Sequence, residues 1–198
     1  YYDFNTPEWN GNEFQIQYHS ALFEKNLYIY FMGFTIDDGK KKAILSRMLK
    51  VDFIKNKNSK NLEHLVWKKN LKIWSKATQN RVYIFEPGNT ESNIQYISDW
   101  DLYVTTTYTA TDNKILLTYS KNLEGPWSDP EVIFENPIIN CPDKTCIETY
   151  AVRSHPEFSQ KTGELIISYV TSYTGDYKHA NINSYRPRFI KVQLEKVN

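Results

Sequence analysis

Glu91-Ser-Asn-Ile-Gln-Tyr-Ile-Ser-Asp-Trp-Asp-Leu-Tyr-Val-Thr-Thr-Thr-Tyr-Thr-Ala-Thr-Asp-Asn-Lys-Ile-Leu-Leu-Thr-Tyr119 contains three strand-like runs joined by two short polar breaks. The first, Glu91 to Tyr96, alternates. The second, Leu102 to Tyr108, carries apolar or aromatic groups on both faces, as a strand covered by neighbouring sheets requires. Thr111-Asp112-Asn113 then reads as a hairpin into Ile115 to Tyr119. This is a β-meander.

The same order recurs on either side. Glu13-Phe-Gln-Ile-Gln-Tyr18 precedes Leu27 to Phe34, then Asp37-Asp38-Gly39, then Ala43 to Arg47. Glu148-Thr-Tyr-Ala-Val-Arg153 precedes Leu165 to Val170, a longer loop from Tyr173 to Tyr185, and Phe189 to Val192. Outer fourth strands are expected at Leu65-Val66-Trp67 or Arg81 to Phe85, and at Glu131 to Phe134. No convincing amphipathic helix interrupts them. Recurrence at this spacing suits four-stranded propeller blades rather than a small solenoid coil.

The fold expected is therefore an all-β propeller of four-stranded antiparallel blades, about three in this chain. Residues 1–198 read as one partial domain with repeats near 13–85, 91–135 and 148–195. Three blades do not close a ring of the usual four to eight, so a second chain or a missing N-terminal segment is expected to complete it. The start, Tyr1-Tyr2-Asp3-Phe4, reads as processed or truncated. A stand-alone β-sandwich is the structural alternative.

Composition agrees: Tyr (15), Phe (10) and Trp (5) outweigh Gly (7), a bias toward residues that fit a pleated surface. Basic residues (24) nearly balance acidic ones (23), and the lysine clusters Lys40 to Lys42 and Lys55 to Lys60 are short, so neither nucleic acid nor a membrane surface is the expected partner. No stretch approaches the roughly 20 apolar residues of a membrane span.

Cys141 and Cys146 enclose Pro142-Asp143-Lys144-Thr145, a turn-forming composition that favours a short-loop disulfide. Such a bridge would mean a secreted or extracellular location. Two cysteines do not make a zinc site, and no metal or other cofactor is expected. No Asn-x-Ser/Thr acceptor adds support for secretion.

Ser120-Lys-Asn-Leu-Glu-Gly-Pro-Trp-Ser-Asp-Pro-Glu-Val-Ile-Phe134 resembles the outer-strand turn of five-bladed propeller glycoside hydrolases. Tyr150-Ala-Val-Arg-Ser-His-Pro-Glu157, Gly163 to Tyr169 and Tyr185-Arg-Pro-Arg-Phe189 resemble the DUF4185-like branch of that group. The resemblance implies a carbohydrate partner in an axial pocket, with acidic residues from the innermost strands of different blades. It assigns no role to any one carboxylate.

Glycoside hydrolysis uses one carboxylic acid to protonate the leaving oxygen and one carboxylate to activate water or to attack. Glu13, Glu91 and Glu148, each opening a repeat, are the catalytic candidates, because propeller symmetry would gather them. Crowding would raise a carboxyl pKa toward acid duty. Repetition equally suits bridges between blades.

Tyr150, Arg153, His155, Trp100 and Arg186 are the substrate-binding candidates; Arg186 and Arg188 could instead pair with blade carboxylates. Trp9 and Tyr173 add possible sugar platforms, and Asp99 and Asp101 suit a turn. Absence of a Gly-rich phosphate loop, a Gly-x-Ser-x-Gly elbow, a His-Glu-x-x-His helix or an EF-hand argues against nucleotide, serine-hydrolase, zincin and calcium-loop classes. The function expected is a carbohydrate-active propeller leaning to glycoside hydrolysis, with non-catalytic glycan binding or a protein-binding or structural propeller as alternatives.

Overall fold

The computed structural model describes residues 17–56, 61–109, 112–136, 147–173 and 186–196. The fold is all-β, and its three antiparallel meander sheets are propeller blades of five, four and three strands. The chain divides into two compact units: Tyr1–Thr90 with Glu124–Pro126, and Glu91–Leu123 with Trp127–Asn198.

In the first unit β1 (Gln17–Lys25), β2 (Tyr28–Asp37), β3 (Lys40–Leu49), β4 (Glu63–Lys68) and β5 (Leu71–Ser75) lie in sequence order. Tight turns make that order cheap. Asp38 and Gly39 take φ of 51° and 72° between β2 and β3, and Lys69 and Asn70 take 49° and 64° between β4 and β5. Two successive positive φ values give a turn whose twist matches the flanking strands. β2 is buried on both faces from Tyr30 to Thr35, and Phe31, Met32, Phe34, Ile44, Leu45 and Met48 form much of the unit's core.

Three features depart from the sequence expectation. β1 continues through His19 to Lys25, a span expected to be a polar break, because Ala21 is buried while Leu22 is 59% exposed, so the alternation persists across a bulge between Gln17 and Ala21. A helix, α1 (Lys50–Asn56), follows β3; at seven residues it is too short to show a helical period. Phe53 on α1 meets Phe31 at 5.8 Å between ring centroids.

The third departure concerns the outer strands. Leu65-Val66-Trp67 lies in β4, but β4 pairs with β3 only at Ser46↔His64 and Arg47↔Glu63. Beyond that point residues 80–88 run between the two. Val82 N–H donates to Leu65 O at 3.0 Å, Ile84 N–H to Ala43 O at 2.9 Å, and Ala43 N–H to Phe85 O at 2.9 Å. The backbone groups left bare by the divergence are thereby satisfied. Gly88 closes this wedge: a Cβ there would stand 2.7 Å from Ala43 N and 2.9 Å from Phe34 Cβ.

In the second unit one sheet holds β6 (Ile94–Ile97), β7 (Leu102–Thr109), β8 (Lys114–Ser120) and β9 (Glu131–Glu135), and the other holds β10 (Ile147–Ser154), β11 (Glu164–Tyr173) and β12 (Pro187–Gln193). Ile97, Val104, Tyr108, Ile115 and Leu117 of the first sheet pack against Val152, Leu165, Ile167 and Tyr169 of the second. Each such aliphatic side chain contributes roughly 1.5–3 kcal/mol by leaving water. In the β8–β9 connection Trp127 Nε1–H donates to Leu123 O at 3.0 Å, and Thr118 Oγ1–H donates to Ser128 O at 2.7 Å.

His64 is buried on β4 with Nδ1 2.8 Å from Ser46 Oγ. Burial, reinforced by the Arg81 guanidinium, pushes its pKa down to about 4 from 6.5. The unfolded chain therefore takes up a proton between about pH 6.5 and 4 that the folded chain refuses, and stability falls as pH falls through that window. The loss is on the order of 3 kcal/mol by pH 4. Asp37, Glu157 and Glu164 have pKa values below their ordinary 3.8, 4.5 and 4.5, so the stability they contribute is lost as pH falls through and below those values. Urea midpoints measured from pH 7 to pH 4.5 should decline in the wild type and flatten in His64→Gln; a parallel decline in both would assign the loss to other groups.

Candidate functional site

Buried amides fix β10 across the neighbouring sheet. Thr149 donates both its N–H (2.8 Å) and its hydroxyl (3.1 Å) to Asn113 Oδ1, while Asn136 Nδ2 donates to Thr149 Oγ1 at 3.0 Å. Five residues on, Ser154 donates its N–H (2.8 Å) and hydroxyl (3.0 Å) to Asn93 Oδ1. Between the clamps β10 bulges: Ala151 takes φ of 53°, and Val152 is driven fully into the core. A non-glycine residue in that region is uncommon and marks a backbone held by its surroundings.

Glu91 stands three residues before β6, half-buried, and its Oε2 accepts from the Tyr108 hydroxyl at 3.3 Å. Glu148 lies on β10 opposite Ser172; its side chain, like all of Glu13, lies outside the described residues. The same holds for Cys141, Cys146, Trp9 and the Tyr173 side chain.

The substrate-binding candidates separate. Tyr150 packs half-buried on the core between the two sheets. Trp100 packs there too and covers Gly163, whose missing Cβ leaves room for the indole: an added one would stand 2.3 Å from Trp100 Cη2. Asp99 beside it accepts from Thr162 Oγ1, and Asp101 turns the chain at φ 49° while accepting from Tyr96 Oη at 2.7 Å. Arg186 is exposed just before β12, and Arg153 is exposed at the end of the bulge.

His155 has the most organised surroundings of the set. Its Nε2 is 2.7 Å from Ser168 Oγ, its Nδ1 is 3.0 Å from Glu157 Oε1, and its N–H donates to Ile166 O at 2.7 Å. Phe158 stacks on the ring at 5.7 Å and Phe189 tilts against it at 5.9 Å. Glu157 is held below the usual carboxylate range by its own backbone N–H and then by His155. Ser168 was not apparent in the sequence, because a serine inside an apolar strand has no local signature.

The first unit adds a pocket that sequence reading missed altogether. Cross-strand register sets Tyr28 beside Leu49, Tyr30 beside Arg47, and Arg47 beside Glu63 on one face. The Arg47 guanidinium lies 4.1 Å from the Tyr28 ring centre and 4.3 Å from that of Trp74, and its Nε donates to Glu63 Oε2 at 2.9 Å. Alongside this stack opens a pocket of about 210 Å³ lined by Tyr28, Leu49, Asp52, Asn61, Glu63 and Lys76. Lys76 Nζ reaches Asn61 Oδ1 at 3.4 Å. Among the described residues no group of three His, Cys, Asp or Glu side chains is placed to hold a metal ion.

The model of the family described as Domain of unknown function (DUF5005) matches residues 4–194. That match carries no link to the DUF4185-like branch. No curated protein matches the chain. A solved structure of a "putative hydrolase" from Bacteroides ovatus is similar with a TM-score of 0.66 and 22% identity, over 88% of this chain and 44% of that one. The chain thus spans less than half the length of that protein. The α-L-arabinofuranosidase of Podospora anserina, solved with cellotriose, aligns at a TM-score of 0.48 and 8% identity, over 83% of this chain and 46% of that one.

Asn93→Ala removes the acceptor from Ser154 N–H and Oγ, both buried. The variant should lose about 2 kcal/mol of stability, the usual cost of stranding a buried donor. Urea unfolding read by tryptophan fluorescence would show it, and an unchanged midpoint would mean that packing alone seats β10.

Proposed function

The chain belongs to the DUF5005 family, and from that premise and its glycoside-hydrolase-like propeller fold we propose that it is carbohydrate-active and holds a sugar residue in the pocket of its first unit. The observation that carries this reading is the convergence of Tyr28, Asp52, Asn61, Glu63 and Lys76 on one concavity. Vicinal hydroxyls suit carboxylate and amide acceptors beside an ammonium donor, and a tyrosine ring offers an apolar wall to the C–H face of a pyranose.

Size and charge narrow the ligand. About 210 Å³ is below the roughly 300–1,000 Å³ of sites for drug-sized ligands, so one sugar ring fits better than an oligosaccharide. Glu63 is neutralised by Arg47, which two aromatic rings also hold, and Asp52 is matched by Lys76, so the lining carries no net charge to attract an anionic ligand. Lys76 in the lining disfavours a metal cation. A neutral sugar remains.

Glycoside hydrolysis is the second reading, favoured by the half-buried Glu91 carboxylate oriented by Tyr108 before an innermost strand. Glu148, on the innermost strand of the next sheet, is proposed as its counterpart. We further propose that additional chain, or a second chain, completes the propeller; the 44% coverage of the Bacteroides ovatus protein supports this. A Cys141–Cys146 bridge and an extracytoplasmic setting belong to the same proposal and rest on the turn-forming composition between the two cysteines.

Titration of the intact chain with free neutral monosaccharides and short glycans, followed by ligand-observed NMR, tests the first reading. Tyr28→Ala and Asp52→Asn should each weaken binding about tenfold, the scale of one charge-assisted hydrogen bond or one ring contact. Wild-type affinity in both variants would refute it. On any glycan the protein cleaves, Glu91→Gln should lower kcat while leaving the pocket's affinity intact.

A further inference from the structure

We propose that Ser168, His155 and Glu157 form a second, independent site in which Ser168 is an acyl-accepting nucleophile toward carboxylic esters of small acyl groups. The geometry is that of a nucleophile, a base and an orienting acid: Ser168 Oγ to His155 Nε2 at 2.7 Å, and His155 Nδ1 to Glu157 Oε1 at 3.0 Å. Such constellations are recognised by geometry and role, and they recur on unrelated folds without a shared sequence motif.

Each member is placed by local structure. Ser168 sits on the middle strand β11 between Ile167 and Tyr169, whose side chains enter the core, so alternation turns Ser168 to the opposite face. His155 follows β10 directly, pinned by its N–H on Ile166 O. Pro156 then opens a short 3-10 turn, Pro156–Phe158, which carries Glu157 back beneath the imidazole. Because the Glu157 carboxylate is held in its ionised form near neutral pH, Nδ1 carries the proton and Nε2 is left with a lone pair facing the serine.

Exposure argues for chemistry over mere satisfaction of a loop. The His155 side chain keeps 20% of its surface and Glu157 59%, so an ester can reach the serine–imidazole pair. Phe158 and Phe189, 58% and 60% exposed, wall the ring on two sides and offer an apolar surface to an acyl chain. Arg153 and Phe189 are the cross-strand partners of Ser168 on its two neighbours. The exposed Arg153 guanidinium is the donor available on that face to an oxyanion.

The step balances without any added co-reactant. Ser168 Oγ attacks the ester carbonyl carbon as its proton passes to His155 Nε2. The tetrahedral oxyanion collapses, the C–O bond to the alcohol breaks, and the alcohol leaves with that proton. Water then adds to the acyl-serine, gives its proton to Nε2, and the acid departs as Ser168 regains its hydrogen.

The test uses the intact chain with two probes, a fluorophosphonate that traps activated serines and p-nitrophenyl acetate. The wild type should take the label on Ser168, located by peptide mass spectrometry, and release p-nitrophenol faster than buffer alone. Ser168→Ala should take no label there, and His155→Asn should label at least roughly 10²-fold more slowly, the scale of a lost general base. Glu157→Gln, at an exposed position that leaves the core untouched, should slow labelling and ester hydrolysis together. Neither probe contains a sugar, so failure here is distinguishable from failure of the carbohydrate reading. No label on Ser168, or equal labelling in His155→Asn and Glu157→Gln, would overturn the proposal.

Discussion

Two buried amide oxygens, Asn113 Oδ1 and Asn93 Oδ1, each accept an N–H and a hydroxyl from β10, and much of the second unit depends on that constraint. Among the described residues β10 pairs with no strand of the sheet it crosses, and the apolar packing between the two is non-directional. Amides supply the direction. With Thr149 and Ser154 fixed, the residues between them must absorb the mismatch, and they do so at the Ala151 bulge. That bulge sets Val152 into the core and leaves Arg153 and His155 at the surface, so the neighbourhood of the imidazole descends from two asparagines.

Period-two alternation was enough to recover the repeat architecture, because a strand with one buried face must write that face into its sequence. The central strands Tyr28 to Asp37 and Leu102 to Thr109 are legible in another way, as dense runs with both faces covered. What escaped were features with no period: α1, about two helical turns long; β5, five residues none of which is buried; and the way Arg81 to Phe85, one of two candidate outer strands, shares the edge of β3 with β4.

The sites follow the same division. His155 attracted notice through its neighbours in sequence, whereas Ser168 and the pocket residues Tyr28, Asp52 and Glu63 come together only through register and chain reversal. Trp100 lies over a glycine 63 residues later, and that long-range fit has no local signature in the sequence. Asparagines posed the opposite problem. Asn93 and Asn113 sit at strand ends, where a turn role is the ordinary reading, and their use as cross-sheet acceptors has no local trace.

The strip from Asn80 to Gly88, lodged between β3 and β4, also orders events in time. During synthesis strands β1 to β5 emerge before the segment that satisfies the inner backbone groups of Ala43 and Leu65. Until Gly88 has left the ribosome the nascent sheet carries an open seam, and a foreign strand that entered it would meet the same hydrogen-bonding groups. Only the small residue at its far end lets the strip seat fully, so the seam closes at a point where no side chain would fit.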